Sequence, residues 1–170
     1  DTMKQRLIIC TLSLLLLSYM LITGCSGGSG LPESQRLTGQ SRTNMRSANT
    51  YMNTEVFDKA LERYLDVIEE NPYNIEALKK AADIYFFFAE QEPVKATEYY
   101  QESYKHYERA IKAYNDIKDL GRFADLKEMV DDSELKIRGS WARLFNLGQS
   151  RFGEDNYQEA LQIMNELAEL

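Results

Sequence analysis

Residues 57–85, FDKALERYLDVIEENPYNIEALKKAADIY, decide how the rest of the chain is read. Phe57, Ala60 and Tyr64 set an aromatic residue ahead of an Ala-x₃-aromatic pair. The apolar positions around them recur at three- and four-residue steps, the period of a helix that buries one stripe. The run stops at Asn71-Pro72-Tyr73-Asn74, because proline ends a helix and pushes the residue before it out of the helical region. The periodic pattern resumes at Ile75-Glu76-Ala77 within a few residues. The stretch therefore reads as two helices joined by a short turn.

Outward from this hairpin the pattern repeats. Ala48 and Tyr51 stand upstream of Phe57, and Leu78, Ala81, Ala82 and Tyr85 follow Asn44, Ser47, Ala48 and Tyr51 by 34 residues. Ala96 and Tyr100 repeat Ala60 and Tyr64 two residues late, the insertion falling at Glu90-Gln91-Glu92-Pro93. Leu144, Leu147, Gly148, Tyr157, Ala160 and Met164 carry a last copy. Gly121, Phe123, Leu126 and Val130 precede Asp155, Tyr157, Ala160 and Met164 by 34 residues each. A fixed period of about 20–50 residues marks a repeat architecture.

This order of small and aromatic residues, closed by a proline, resembles the tetratricopeptide repeat. The resemblance implies an all-α fold, a right-handed α-solenoid of stacked helical hairpins with about three to four repeats. The units fall at about 41–74, 75–106, 107–140 (degenerate) and 141–170 (incomplete). With no breaker between Val94 and Asp119, two repeat helices are expected to fuse there into one of about 40 Å. Its stripe is Ala96, Tyr100, Ser103, Tyr107, Ala110, Tyr114 and Ile117. Gly139 is expected to kink or break the chain ahead of Trp141, whose ring is read as core. Consecutive Phe86, Phe87 and Phe88 cannot share one face at about 100° per residue. Two are expected in the core and one under the fused helix, with Phe86 or Phe87 as an alternative groove anchor.

The first 24 residues are a different kind of segment. Lys4 and Arg6 precede an apolar run from Leu7 to Ile22, a basic start and a short hydrophobic stretch that read as a signal peptide rather than as a spanning helix. Leu21, Ile22, Thr23, Gly24 and Cys25 resemble the lipobox of bacterial lipoproteins. That resemblance implies cleavage before Cys25, diacylglycerol on its thiol and acylation of the new amine, an anchor of several acyl chains. Ser26 rather than aspartate after the cysteine resembles the outer-membrane sorting choice. Residues 25–40 are then the lipidated cysteine and a flexible Gly/Ser-rich tether, and 41–170 the folded domain.

Composition narrows the partners. The 170 residues are 44% hydrophobic, enough for one packed domain. Of 20 basic and 27 acidic side chains, Lys4, Arg6 and Asp1 fall in the leader, leaving 18 and 26 and a formal charge of −8. That disfavours nucleic acid and anionic lipid surfaces as partners. With Cys10 removed in the leader and Cys25 acylated, no thiol remains for a disulfide or a thiolate metal site.

In the repeat register the inward-facing positions outside the core are Met45, Asn49 and Met52 in the first unit. Lys79, Asp83 and Phe86 take those places in the second, and Phe145, Gln149 and Phe152 in the last. They are the expected protein-binding groove. Some members of the family clamp a C-terminal carboxylate with lysine, asparagine and arginine, but Met45 and Ala142 stand where lysines would be needed. Catalytic constellations are missing from the sequence: the single histidine, His106, lies in a tyrosine-rich helix, and no zincin motif, nucleophile elbow or phosphate loop occurs. Asp131, Asp132 and Glu134 lack the glycine and spacing of a calcium loop. No cofactor, metal or enzymatic activity is expected.

The expectation is thus a scaffold of the bacterial envelope, lipid-anchored and facing the periplasm, that recruits a component of a pilus, secretion or outer-membrane assembly. A self-associating structural lipoprotein and the N-terminal docking module of a longer protein are the alternatives. The apolar face of Leu161, Met164, Leu167, Ala168 and Leu170 has no polar capping helix after it. The sequence is therefore expected to continue beyond Leu170, or that end to be covered by another copy or partner.

Overall fold

The computed structural model describes residues 30–168. The segment 1–24 read as a signal peptide, Cys25, residues 26–29 of the expected tether and residues 169–170 lie outside the described residues. The described residues form an all-helical fold of six helices packed against one another, with no strand among them. They are α1 (Gly39–Asn53), α2 (Phe57–Glu70), α3 (Ile75–Gln91), α4 (Ala96–Asn115), α5 (Ala124–Gly153) and α6 (Tyr157–Ala168). Single 3₁₀ turns occupy Glu33–Gln35 and Lys118–Leu120. Each helix packs against the next in sequence, and α5 also reaches back to α3.

The central hairpin follows from its residues. On α2, Ala60, Tyr64, Val67 and Ile68 are buried along one stripe. After the Pro72 turn, Asn74 caps α3: its side chain accepts a hydrogen bond from the Ala77 amide at 2.9 Å, satisfying a donor that has no partner inside the helix. On α3 alanines allow close approach from more than one side, and Ile75, Ala77, Leu78, Ala81 and Ile84 are 0–1% exposed. The Phe86–Phe88 run resolves into three separate contacts. Phe86 meets Tyr100 edge-on at 5.4 Å, Phe88 meets Tyr99 at 5.6 Å, and Phe87 turns to Phe57 on α2 at 4.7 Å while staying partly exposed.

The stripe expected on α4 is buried from Ala96 through Ala110, with Ile117 buried just beyond the helix. The long helix, however, is not α4. α4 has 20 residues, about 30 Å, while α5 has 30 residues, about 45 Å. α4 runs through 106–107 and α5 through 140–141, so the unit boundaries placed there do not coincide with helix ends. Residues 107–168 contribute the end of α4, a single 3₁₀ turn and one hairpin, α5–α6.

Gly139 does not break α5, which runs on from Ala124 to Gly153. A single interior glycine costs only about 1 kcal/mol, and the helix has a continuous stripe to hold it: Leu126, Val130, Ser133, Ser140, Leu144 and Gly148 are buried. Trp141 is correspondingly not core. It is 44% exposed and stacks flat on Phe145 at 5.4 Å, one turn on along the outer surface of α5.

Ordered structure also begins earlier than Ser41. Gln35 is buried, donates from Nε2 to the Tyr73 carbonyl at 2.6 Å and accepts from the Ile75 amide at 3.0 Å. One side-chain amide thereby ties the segment before α1 to the turn between α2 and α3. Ser41 adds a short hydrogen bond to the Glu70 carboxylate. Residues 31–38 are therefore part of the domain and not tether.

The first and last hairpins are built alike, 100 residues apart. Glu55 and Asp155 both adopt positive φ, 57° and 60°. In the first turn the amides of Thr54, Glu55 and Val56 donate to the carbonyls of Thr50, Met52 and Tyr51. In the last turn those of Glu154, Asp155 and Asn156 donate to Ser150, Phe152 and Arg151 in the same pattern. Ala48 and Gly148, Ala60 and Ala160, and Leu61 and Leu161 thus occupy matching places.

Candidate binding surface

The groove positions expected from the repeat register separate into two groups. On α1, Met45 is 5% exposed and belongs to the core, and Met52 is half-buried against it. Asn49 accepts a hydrogen bond from the Tyr64 hydroxyl at 2.5 Å. On α3, Lys79 and Asp83 form a nearly buried ion pair at 2.8 Å. Phe86 packs on Tyr100 and faces Gly139, where an added Cβ would stand 3.8 Å from its ring. α5 lies over this face of α3, where Lys79 shares a pocket with Lys80, Asp125, Met129 and Asp132.

The polar centre of that contact is a four-charge network. Lys79 Nζ reaches Asp132 at 2.7 Å as well as Asp83. Asp83 Oδ1 accepts from Lys136 Nζ and from the Tyr107 hydroxyl, each at 2.7 Å. Burial alone would push the Asp83 carboxyl up, but the hydrogen bonds from Lys136, Lys79 and Tyr107 outweigh it and hold the carboxyl below its ordinary value. Burial likewise works against charge on Lys79, and Asp132 and Asp83 reverse it, so its ammonium is held above the usual range. Two lysines balance two aspartates, and each buried side-chain polar atom among the described residues has a partner. The network joins α3, α4 and α5.

His106 is also structural. It is buried on α4, its Nδ1 lies 2.8 Å from the Glu102 carbonyl oxygen, and its ring packs on Tyr85 at 5.5 Å. Burial lowers its pKa, partly offset by the Glu102 backbone contact. Among the described residues no group of His, Cys, Asp and Glu is arranged to hold a metal ion, and no helix is long and apolar enough to cross a membrane.

The last unit is where expected groove residues meet solvent. Phe145 is half-buried under Trp141, but Gln149 and Phe152 are exposed and line an apolar groove of about 710 Å³ between α5 and α6. Its other walls are Tyr157, Leu161 and Met164, with Gly148 at the floor. Phe152 and Tyr157 meet edge-on at 5.2 Å, and these two rings and Leu161 are 54–63% exposed. Gly148 lets α6 pack close on α5: a Cβ there would stand 2.7 Å from the Met164 methyl and 3.3 Å from Ile163, so that methyl would have to shift. The repeat register names Phe152 and Gln149 as inward-facing groove positions and does not include Tyr157 among them. The signal for Tyr157 was its place 100 residues after Phe57.

Compared with known proteins, the chain matches no family model and no curated sequence.

Proposed function

We propose that the protein is a lipid-anchored helical-repeat scaffold of the bacterial envelope, which binds other proteins and catalyses no reaction. The observation that carries this reading is the recurrence of one hairpin, with the same left-handed residue and the same turn hydrogen bonds, at Glu55 and Asp155. Hairpins of one geometry that pack in sequence favour a right-handed α-solenoid of the tetratricopeptide kind, whose role is to present surface to a partner. The Cys25 lipobox supports the anchor, and Ser26 supports the outer membrane facing the periplasm.

The test has two arms. Cys25→Ser is expected to move the protein from the membrane to the soluble fraction or to leave an uncleaved precursor; unchanged fractionation and mass would defeat the anchor. Photo-crosslinking residues at exposed Val94, Trp141 and Phe152 in intact cells are expected to give discrete adducts with wild type that Cys25→Ser loses. Absence of adducts at every position would defeat the scaffold reading.

A further inference from the structure

Among the described residues, the buried tyrosine hydroxyls are paired with one exception. Three tyrosines there are less than a tenth exposed: Tyr64, Tyr100 and Tyr107. The Tyr64 hydroxyl donates to Asn49 at 2.5 Å and the Tyr107 hydroxyl to Asp83 at 2.7 Å. Tyr100 repeats Tyr64 two residues late in the register and is 6% exposed, yet its hydroxyl has no hydrogen-bond partner among the described residues. A polar group so placed costs stability unless something outside the chain completes it.

The hydroxyl is not sealed in. Tyr100 lines a cavity of about 400 Å³ between the end of α3, the start of α4 and the second half of α5. Phe86 on α3 holds its ring edge-on at 5.4 Å. Burial pushes its pKa up, Glu90 adds to that and Arg143 offsets part of it, so the hydroxyl keeps its proton and can both donate and accept. Both of those charged side chains stand on the cavity wall, which puts the hydroxyl on the cavity side of the ring.

The rest of the wall selects a chemistry. Ala89, Ala96 and Leu147 give it an apolar lining. At the rim Arg143 holds Glu90 at 3.1 Å, so the two charges cancel, and a ligand with one net charge would have to part them. Asn146 is exposed beside them, and its amide has no hydrogen bond to the rest of the described chain. The open positions are thus a hydroxyl and an amide, both neutral and each a donor and an acceptor, next to apolar walls. A carboxamide is the neutral group that offers an acceptor and a donor together on a stem that can be apolar.

We propose that this cavity binds a neutral carboxamide on a short apolar stem, its carbonyl oxygen accepting from the Tyr100 hydroxyl and its N–H turned to the rim, where Asn146 and Glu90 supply acceptors. Two sources carry that group: the glutamine or asparagine side chain of another protein, and the acetamido group of a free sugar. The inference goes beyond the scaffold reading and does not depend on it, since it rests on the cavity and its unpaired hydroxyl.

The full chain is titrated with two probes, a capped Ala-Gln-Ala tripeptide and N-acetylglucosamine, and followed by NMR. Saturable one-to-one binding of at least one is expected; the tripeptide alone assigns the site to a protein side chain, the sugar alone to a free ligand. Tripeptides with leucine or glutamate in place of glutamine, and glucose in place of the acetamido sugar, bind about tenfold or more weakly, because a site built on hydrogen-bonding groups rejects an analogue that leaves them unpaired. Tyr100→Phe removes just the hydroxyl and is expected to weaken binding about five- to tenfold, the contribution of one hydrogen bond. The same variant keeps or raises the urea midpoint, since no bond within the protein is lost, whereas Tyr64→Phe lowers it.

Binding of neither probe overturns the proposal. So does a leucine peptide that binds as tightly as the glutamine one, or binding indifferent to Tyr100→Phe. A urea midpoint that falls as far in Tyr100→Phe as in Tyr64→Phe overturns it too, by showing that the hydroxyl is satisfied within the protein.

Discussion

Asp83 is the side chain on which the contact between the hairpins turns. It is flanked by Lys79, Lys136 and the Tyr107 hydroxyl, one from each of three helices. Asp83→Ala leaves Lys79 and Lys136 to share Asp132 alone and takes the partner from the buried Tyr107 hydroxyl; it is expected to cost about 1–3 kcal/mol, the range for leaving a buried polar group unsatisfied, read from the urea midpoint. Because the folded carboxyl titrates below its unfolded value of about 3.9, its contribution is present above that pH and is lost as pH falls through the lower folded value. His106 acts in a milder window. Its folded pKa lies below the unfolded value near 6.5, so the unfolded chain binds the extra proton first and stability falls as pH drops below about 6.5. Glu102, Lys105 and Arg109 on α4 and the Tyr85 ring on α3 surround it. His106→Phe keeps a ring against Tyr85 and is expected to flatten the loss of stability between about pH 7.5 and 5.5; an unchanged slope would assign it to other groups.

Among the elements, α5 carries the sharpest lesson. Gly139 has no positive φ, and a Cβ there would meet just the Phe86 ring, at an ordinary 3.8 Å. Gly139→Ala is therefore expected to raise stability by about 0.5–1 kcal/mol, the helix-interior penalty of glycine; a fall in the thermal midpoint would mean the helix bends there after all. The turn at Asn71–Asn74 and the α4 stripe were legible in the sequence because proline and a four-three spacing are local signals. The uninterrupted course of α5 was not, since Gly139 reads as a breaker until the buried stripe on both sides of it is counted. The groove was half legible for a similar reason. Periodicity told which face of α3 carries Lys79, Asp83 and Phe86, but not that Asp132, Lys136 and Gly139 of a later helix would lie on it. Phe152 and Gln149 are exposed beside α6, the last described helix.

At the level of the whole domain, burial is uneven. α3 is enclosed by α2, α4 and α5, whereas α6 is held by α5 and, through Glu166 and Gln101, by α4. Native-state hydrogen exchange is expected to be slowest in α3 and faster in α6 and the 153–157 turn, since local opening follows local contact density; equal protection would show that the domain opens as one unit. The same uneven enclosure puts the α5–α6 groove on the part that is least costly to rearrange. Gln35 gives the other end the opposite property. A pull applied through residue 30 does not peel α1 from its free end but arrives at Tyr73 and Ile75, in the turn that joins the first hairpin to the second. The load is then carried across two hydrogen bonds strained together, so α1 is spared until that clasp gives way. In a force-extension trace Gln35→Ala should convert one abrupt rupture into gradual unzipping from the amino-terminal side.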